Sequence, residues 1–181
     1  MIHRSQKDLR YKDLKLGTCT KTIGQVGCFM CDLSMFAYED PVIVNEKLKN
    51  NGGYANGCSM LSEKAAEILK LKYDGVSKVK PPFICIAETD YYKPVWKGGV
   101  PQHFFVFLPL GSGDFMIDPL DPPETIGLKP VKYPIVSYRL FHERTYTPTI
   151  PEVWNGERPD DYAKRSEVDL MLSRYRELYN Q

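Results

Sequence analysis

The sequence predicts an α+β fold in which helices come first and an antiparallel β-sheet follows. Between residues 28 and 70, apolar residues recur every three or four positions, the periodicity of amphipathic helices. After residue 80, the apolar runs become short and rich in aromatic and β-branched residues, as in "PFICIAE" and "HFFVFLPL". Helices and strands that are segregated along the chain are typical of α+β proteins rather than of alternating βαβ units.

Three helices are predicted after a polar N-terminal stretch. Residues 1–24 read as a polar, mostly irregular arm. The first helix begins close to Cys28 and carries one apolar face. Asp40 is suited to cap the second helix, because Pro41 then occupies its first turn. A third helix follows Ser59.

The second half of the chain predicts strands and then a C-terminal extension. The strand candidates are "PFICIAE", "QHFFVFLPL", "DFMIDP" and "PIVSYRLFH", with "LGSGDF" as a hairpin turn between the second and the third. Three prolines between residues 145 and 160 predict a loop or linker, and the last twenty residues predict an amphipathic helix. The expected organisation is a domain over residues 1–144 and a proline-rich linker with a helix over 145–181.

Composition limits the classes of function. A chain of 181 residues with 43% hydrophobic residues can bury a core without metal or disulfide staples. Its net charge of +1 does not favour nucleic acid as a partner. The polar N-terminus lacks the apolar segment of a signal peptide, and no apolar run is long enough to span a membrane. We expect a soluble protein made in the cytoplasm, with no membrane partner, no cofactor and no metal.

The five cysteines argue against a secreted disulfide framework, because an odd number leaves at least one free thiol. Cys28 and Cys31 form a Cys-x-x-Cys pair with three interpretations. A zinc site would need a second compact pair, which is missing. A thioredoxin-like redox pair would need a preceding buried strand, but polar and Gly-rich residues precede Cys28. The third interpretation is a nucleophile at Cys28, against the alternative of a small buried apolar residue.

A nucleophile at Cys28 would be favoured by its place at a helix N-terminus, where the helix dipole stabilises a thiolate. Gly27 would let a substrate backbone approach the sulfur. His103 opens the strongest predicted strand and is the candidate base, with Gln102 before it as a candidate substrate contact. The next strand returns to Asp118, which could orient the imidazole.

Several motifs resemble one branch of the papain-fold cysteine peptidases, the bacteriocin-processing (double-glycine leader peptidase-like) type found in bacteriophage and bacterial cell-wall proteins. They are Ser5-Gln6-Lys7-Asp8, Gly27-Cys28, Val44-Asn45, Gly52-Gly53-Tyr54, His103 and Asp118-Pro119. The resemblance covers roughly residues 4–120. It implies a papain-like fold, with Cys28 as nucleophile, His103 as base and Asp118 as orienting residue.

In such enzymes a glutamine before the nucleophile helps to bind the oxyanion. The resemblance favours Gln6 for this role, and Gln25 is the competing candidate. Cys19 and Cys31 depart from the pattern and receive no family role. We expect Cys31 to face the core, and a Cys28–Cys31 disulfide that switches the protein off is the sharper alternative.

The function implied is a thiol hydrolase that cleaves an amide bond in a peptide or in the stem peptide of peptidoglycan. Bacteriophage origin and incorporation in a virion are part of the same expectation. The C-terminal helix is a candidate docking element for a virion or other protein partner. The alternative function is a non-catalytic papain-like module that serves as a structural or binding unit in such an assembly.

Overall fold

A computed structural model describes residues 3–55, 58–89 and 102–142 of the chain, which all belong to one compact unit, His3–Arg144. Within these ranges, short helices precede a single six-stranded sheet. The helices are α1 (Ile23–Val26), α2 (Cys28–Ala37), α3 (Pro41–Asn50) and α4 (Ser62–Leu69). The strands are β1 (Lys72–Ser77), β2 (Cys85–Thr89), β3 (His103–Leu110), β4 (Gly113–Ile117), β5 (Leu128–Pro130) and β6 (Ser137–His142).

The sheet has the strand order β1-β6-β2-β3-β4-β5, and every neighbouring pair is antiparallel. The predicted α+β class is therefore confirmed, as are the four strands that the apolar runs indicate. The two edge strands, β1 and β5, were not predicted. β1 is polar and contains a glycine, and β5 has only three residues, so neither carries the apolar signal of an inner strand.

The core lies on both faces of the sheet. On one face, inner-strand side chains pack with two tyrosines in a buried cluster of Cys85, Ala87, Phe105, Phe107, Met116, Tyr133 and Tyr138. On the other face lies α2, whose residues are all buried. Its Phe29 ring contacts Phe104 of β3 and Phe141 of β6, with ring centroids 4.7 and 5.9 Å apart. The helix that begins at Cys28 is thus fixed directly on the inner strands.

The helix boundaries follow local chemistry. α2 begins at Cys28, as predicted, and ends where Tyr38 adopts a left-handed conformation with φ of 56°. The Asp40 side chain accepts a hydrogen bond from the Val42 backbone N–H, which confirms Asp40 as the N-cap and Pro41 as the first residue of α3.

The prediction that residues 1–24 form a polar arm is wrong in its essential point. The stretch is irregular up to the short helix α1, but it is packed into the domain, with Tyr11 and Leu16 buried. The Gln6 backbone N–H donates to the Pro119 carbonyl at 2.8 Å, and the Ser5 hydroxyl donates to the Asp121 carbonyl. The segment is therefore bonded to the chain that follows Asp118.

One disulfide also departs from the expectation. Cys19 and Cys58 are joined, and Cys28, Cys31 and Cys85 are free and buried. The odd count correctly implied a free thiol, but it did not indicate this bridge, because the two partners are 39 residues apart in the sequence.

Two expectations lie outside the described residues. The linker and amphipathic helix predicted over 145–181 fall there, and so does the partner surface assigned to that helix. For the part of the chain that the structure describes, no helix combines the length and the apolar character needed to span a membrane.

Candidate active site

The site is built around the N-terminus of α2. Cys28 is the first residue of this helix, so its backbone N–H has no partner within the helix. Gly27 is the N-cap, and a Cβ at this position would lie 2.5 Å from the Ile23 carbonyl oxygen. Gly27 is thus required by the tight passage from α1 to α2. The role predicted for Gly27 from the sequence is substrate access, which stays a prediction, and the structure gives it this packing role.

His103 is the first residue of β3 and lies in register with Thr89 of β2. Asp118 comes one residue after β4, opposite Phe105, so it faces the same side of the sheet as His103. Their side chains are 2% and 1% exposed, and Asp118 Oδ1 lies 2.8 Å from His103 Nε2. This contact leaves Nδ1 as the ring nitrogen available to the sulfur.

The His103 imidazole also interacts with the Cys28 side chain. Burial by itself lowers the pKa of His103, since it disfavours the imidazolium. The hydrogen bond to Asp118 and the interaction with Cys28, together with the charges of both groups, outweigh burial and raise the pKa to about 9. The arrangement therefore favours a charged imidazolium between a carboxylate and the sulfur.

Asp118 is held by three donors besides burial. Its Oδ1 accepts from the Leu120 backbone N–H at 2.9 Å as well as from His103, and its Oδ2 accepts from the Tyr133 hydroxyl at 2.8 Å. Burial raises the pKa of Asp118, but these hydrogen bonds and the charge of His103 lower it below the ordinary value. Asp118 is thus an oriented, ionised carboxylate.

Gln6 is the better placed of the two glutamines considered for the oxyanion role. It is 1% exposed, lines the same cleft as Cys28 and His103, and its Nε2 donates to the Gly24 carbonyl at 3.1 Å. Nε2 carries a second N–H, and the buried Oε1 has no hydrogen-bond partner among the described residues. Gln25 is exposed, and its Oε1 accepts from the Thr22 backbone N–H as part of the α1 cap.

These groups open into a cleft of about 420 Å³. One wall comes from the helical half and includes Leu16, Lys21, Cys58 and Met60, while the sheet half contributes Gln102, His103, Phe104 and Arg139. Gln102 is exposed at this cleft, and its Nε2 donates to Glu88 Oε1 at 2.8 Å. Its role as a substrate contact stays a prediction.

Three residues around the site were not predicted from the sequence. Tyr133 holds Asp118, but it lies in a loop and gave no local signal. Arg139 lies in β6 and reaches the cleft only because β6 pairs with β2. Asp32 is fully buried one turn after Cys28, and neither carboxyl oxygen has a hydrogen-bond partner among the described residues. Burial, with the nearby Cys28 and Asp118, raises the pKa of Asp32 well above its usual value.

The other two free thiols, Cys31 and Cys85, are buried and do not line the cleft. Cys31 is fully buried, and burial, aided by Asp32 and Cys28, raises the pKa of its thiol well above the ordinary value. Burial raises the pKa of Cys85 to about 12. Cys31 therefore occupies the core position expected of it, and it is not bonded to Cys28.

Among the residues described, no group of three or more His, Cys, Asp or Glu side chains is arranged to hold a metal ion. Comparison of the chain with protein-family models, with curated proteins and with solved structures finds no match. The function must therefore be argued from the geometry of the site.

Proposed function

We propose that this protein is a thiol hydrolase that cleaves an amide bond in a peptide-type substrate. One observation carries the proposal: Cys28 at a helix N-terminus interacts with His103, which Asp118 orients, at the wall of an open cleft. A thiol, a base and a group that orients the base are the parts that nucleophilic catalysis requires. The sequence motifs that resemble papain-fold cysteine peptidases of the bacteriocin-processing type also support this proposal.

In the proposed first step, the Cys28 thiolate attacks the amide carbonyl carbon, and the carbonyl π electrons move onto oxygen. The Cys28 backbone N–H and the second N–H of Gln6 Nε2 stabilise this oxyanion. The tetrahedral intermediate collapses and the C–N bond breaks. The His103 imidazolium donates its Nδ1 proton to the leaving amine, which leaves a thioester on Cys28.

In the second step, neutral His103 removes a proton from water, which attacks the thioester carbonyl. Collapse releases the carboxylic acid product and returns the thiolate beside an imidazolium. Asp118 keeps the ring oriented and stabilises its positive charge throughout, as its contact with Nε2 indicates. Stem peptides of peptidoglycan belong to the substrate class, and phage origin would explain delivery to the wall.

The test is hydrolysis and covalent capture by matched proteins. Wild-type protein should release amine from a pooled peptide library and from peptidoglycan fragments, and a peptidyl electrophile should modify Cys28. Cys28→Ala should abolish both activities, whereas Cys85→Ala, which removes a buried free thiol outside the site, should retain them. A folded wild-type protein with neither activity would favour the alternative, a non-catalytic module in an assembly.

A further inference from the structure

The residues that follow the nucleophile and the base build an aromatic surface at the cleft. Phe29 comes directly after Cys28 and Phe104 directly after His103, and their rings contact each other. The Arg139 guanidinium lies over both rings, 5.8 Å from the Phe29 centroid and 5.1 Å from the Phe104 centroid. Stacking of this kind fixes a guanidinium plane and leaves its edge N–H groups available.

Arg139 is held in place from the sheet. Glu88 is in register with Ser137 on β6 and with Phe104 on β3, so these side chains and Arg139 face the same side. Glu88 Oε2 accepts from Arg139 Nη2 at 3.2 Å and from the Ser137 hydroxyl, while Oε1 accepts from Gln102. The Glu88 carboxylate is therefore covered by donors and is not part of the cleft lining.

Most of the hydrogen-bonding capacity of Arg139 is unused. Of its five N–H donors, one bonds to Glu88. None of the other four, including the buried Nε–H, has a hydrogen-bond partner among the described residues. Its side chain is 19% exposed and lines the cleft. A partly desolvated guanidinium with free donors is suited to bind a carboxylate.

The charges along the cleft have one sign. In the described part of the chain, the charged residues that line it are Arg139 and Lys21, together with the His103 imidazole. No Asp or Glu of the described residues lines it, since Asp118 is buried behind His103. Lys21 is exposed on the opposite wall and forms no ion pair with a described residue. A cleft with low-dielectric aromatic walls strengthens the field of these cations.

From these contacts we propose that Arg139 is a specificity residue that binds a carboxylate of the substrate next to the scissile amide. The inference rests on the proposed function, because it names the class of peptide that the cleft accepts. The carboxylate can come from an acidic side chain or from a free chain terminus, and the chemistry of recognition is the same in both cases.

The test separates binding from hydrolysis by using Cys28→Ala protein. Fluorescent peptides are prepared in pairs: glutamate against glutamine, placed at each position in turn, and a free C-terminus against a C-terminal amide. Anisotropy titration should show one carboxylate peptide binding about tenfold more tightly than its amide partner, the effect expected of a charge-assisted hydrogen bond. The pair in which this occurs identifies the source of the carboxylate.

Two substitutions of Arg139 and a control complete the design. Arg139→Met should abolish the preference, and Arg139→Lys should retain part of it, because the charge remains and the planar fork is lost. Arg10→Met removes an exposed arginine outside the cleft and should leave the preference intact. Equal affinity within every pair, failure of all peptides to bind, or a preference that survives Arg139→Met would overturn the inference.

The outcomes also distinguish this inference from the proposed function. A carboxylate preference in binding, together with wild-type protein that cleaves none of the preferred peptides, overturns the hydrolase proposal and supports the carboxylate site. Cleavage of peptides without any carboxylate preference supports the hydrolase proposal and overturns the carboxylate site.

Discussion

Individual side chains around His103 decide how the candidate nucleophile is activated. The imidazole lies between Asp118 and Cys28, and the Tyr133 hydroxyl completes the hydrogen bonds to the carboxylate. None of these contacts is local in sequence, since Tyr133 and Asp118 are 15 residues apart and so are Asp118 and His103. Two residue-level predictions follow from this chain of contacts.

The first concerns thiol reactivity. Cys28 should react with iodoacetamide near neutral pH about tenfold or more faster than Cys31 or Cys85, because it lines the cleft beside the His103 imidazole whereas burial raises the pKa of the other two thiols. Peptide mapping by mass spectrometry measures the three rates. His103→Asn should remove the advantage of Cys28. Comparable rates at all three thiols in wild-type protein would contradict the activation.

The second concerns Tyr133. Tyr133→Phe removes one hydrogen bond to a buried carboxylate, which should cost roughly 1–3 kcal/mol in the free energy of unfolding. It should also slow the reaction of Cys28 with iodoacetamide, because Asp118 is then less well oriented. The matched control is Tyr138→Phe, whose hydroxyl makes no hydrogen bond to a described residue. If both variants behave alike in urea unfolding and labelling, the Tyr133 contact has no role.

At the level of elements, the irregular N-terminal segment is organised by the side chain of Asn45 on α3. Asn45 Oδ1 accepts from the Gly17 backbone N–H at 2.9 Å and from the Tyr54 hydroxyl at 2.8 Å, and its Nδ2 donates to the Lys15 carbonyl. Gly17 has φ of +55°, and a Cβ there would meet the Tyr54 ring at 2.6 Å. Asn45 and Tyr54, one residue from each of the Val44-Asn45 and Gly52-Gly53-Tyr54 motifs, therefore hold the loop that precedes α1.

Asn45→Ala should accordingly be strongly destabilising. It leaves buried donors and acceptors unsatisfied, and the expected loss is about 2–4 kcal/mol. Asn51→Ala is the control, because it removes a single exposed hydrogen bond to Lys47 and should change stability by about 0.5 kcal/mol or less. Chemical denaturation followed by tryptophan or tyrosine fluorescence gives both values. A small effect of Asn45→Ala would show that water replaces its contacts.

The disulfide links two elements of the cleft wall, the turn before α1 and the segment before α4. Because it closes a loop across 39 residues of sequence, it should contribute about 4 kcal/mol by restricting the unfolded chain. The double variant Cys19→Ser with Cys58→Ser, compared with wild type in urea without reductant, measures this contribution. With reductant, the two proteins should unfold at nearly the same urea concentration; a difference that persists would assign the effect to the serines.

For the molecule as a whole, the buried pair of His103 and Asp118 links stability to pH. The folded-state pKa of His103 is raised from 6.5 to about 9, so its contribution to stability is fully present below pH 6.5 and is lost as the pH rises towards about 9. The raised pKa values of Cys31 and Cys85 act in the same direction at alkaline pH. Asp118 acts in the opposite direction. Because its pKa is lowered in the folded protein, it contributes stability when the pH is above the ordinary pKa of a carboxyl group, and this contribution is lost as the pH falls.

Unfolding free energies of wild type and His103→Asn across this range isolate the histidine. The difference between the two proteins should shrink as the pH rises from about 6.5 to about 9, because the stability that charged His103 contributes is lost over this range. The thiols are present in both proteins, so their contribution cancels. A difference that does not change with pH would mean that His103 is not charged in the folded protein.

The sequence by itself determined the features that local chemistry specifies. The helical period after Cys28, the Asp40-Pro41 cap and the aromatic run that opens at His103 each depend on neighbouring residues, and each was predicted correctly. The proximity of Asp118 to His103 could be predicted because a hairpin turn places Asp118 beside the strand that His103 opens.

Only the tertiary structure decided the remainder. Burial of the N-terminal segment, the Cys19–Cys58 bridge, the Tyr133 contact and the approach of Arg139 to the cleft all join residues far apart in the chain. The edge strands are decided in the same way, since β1 is a strand through its pairing with β6 rather than through its own composition. Such contacts leave no periodic trace in the sequence, because their energy comes from partners that only the folded chain brings within hydrogen-bonding or packing distance.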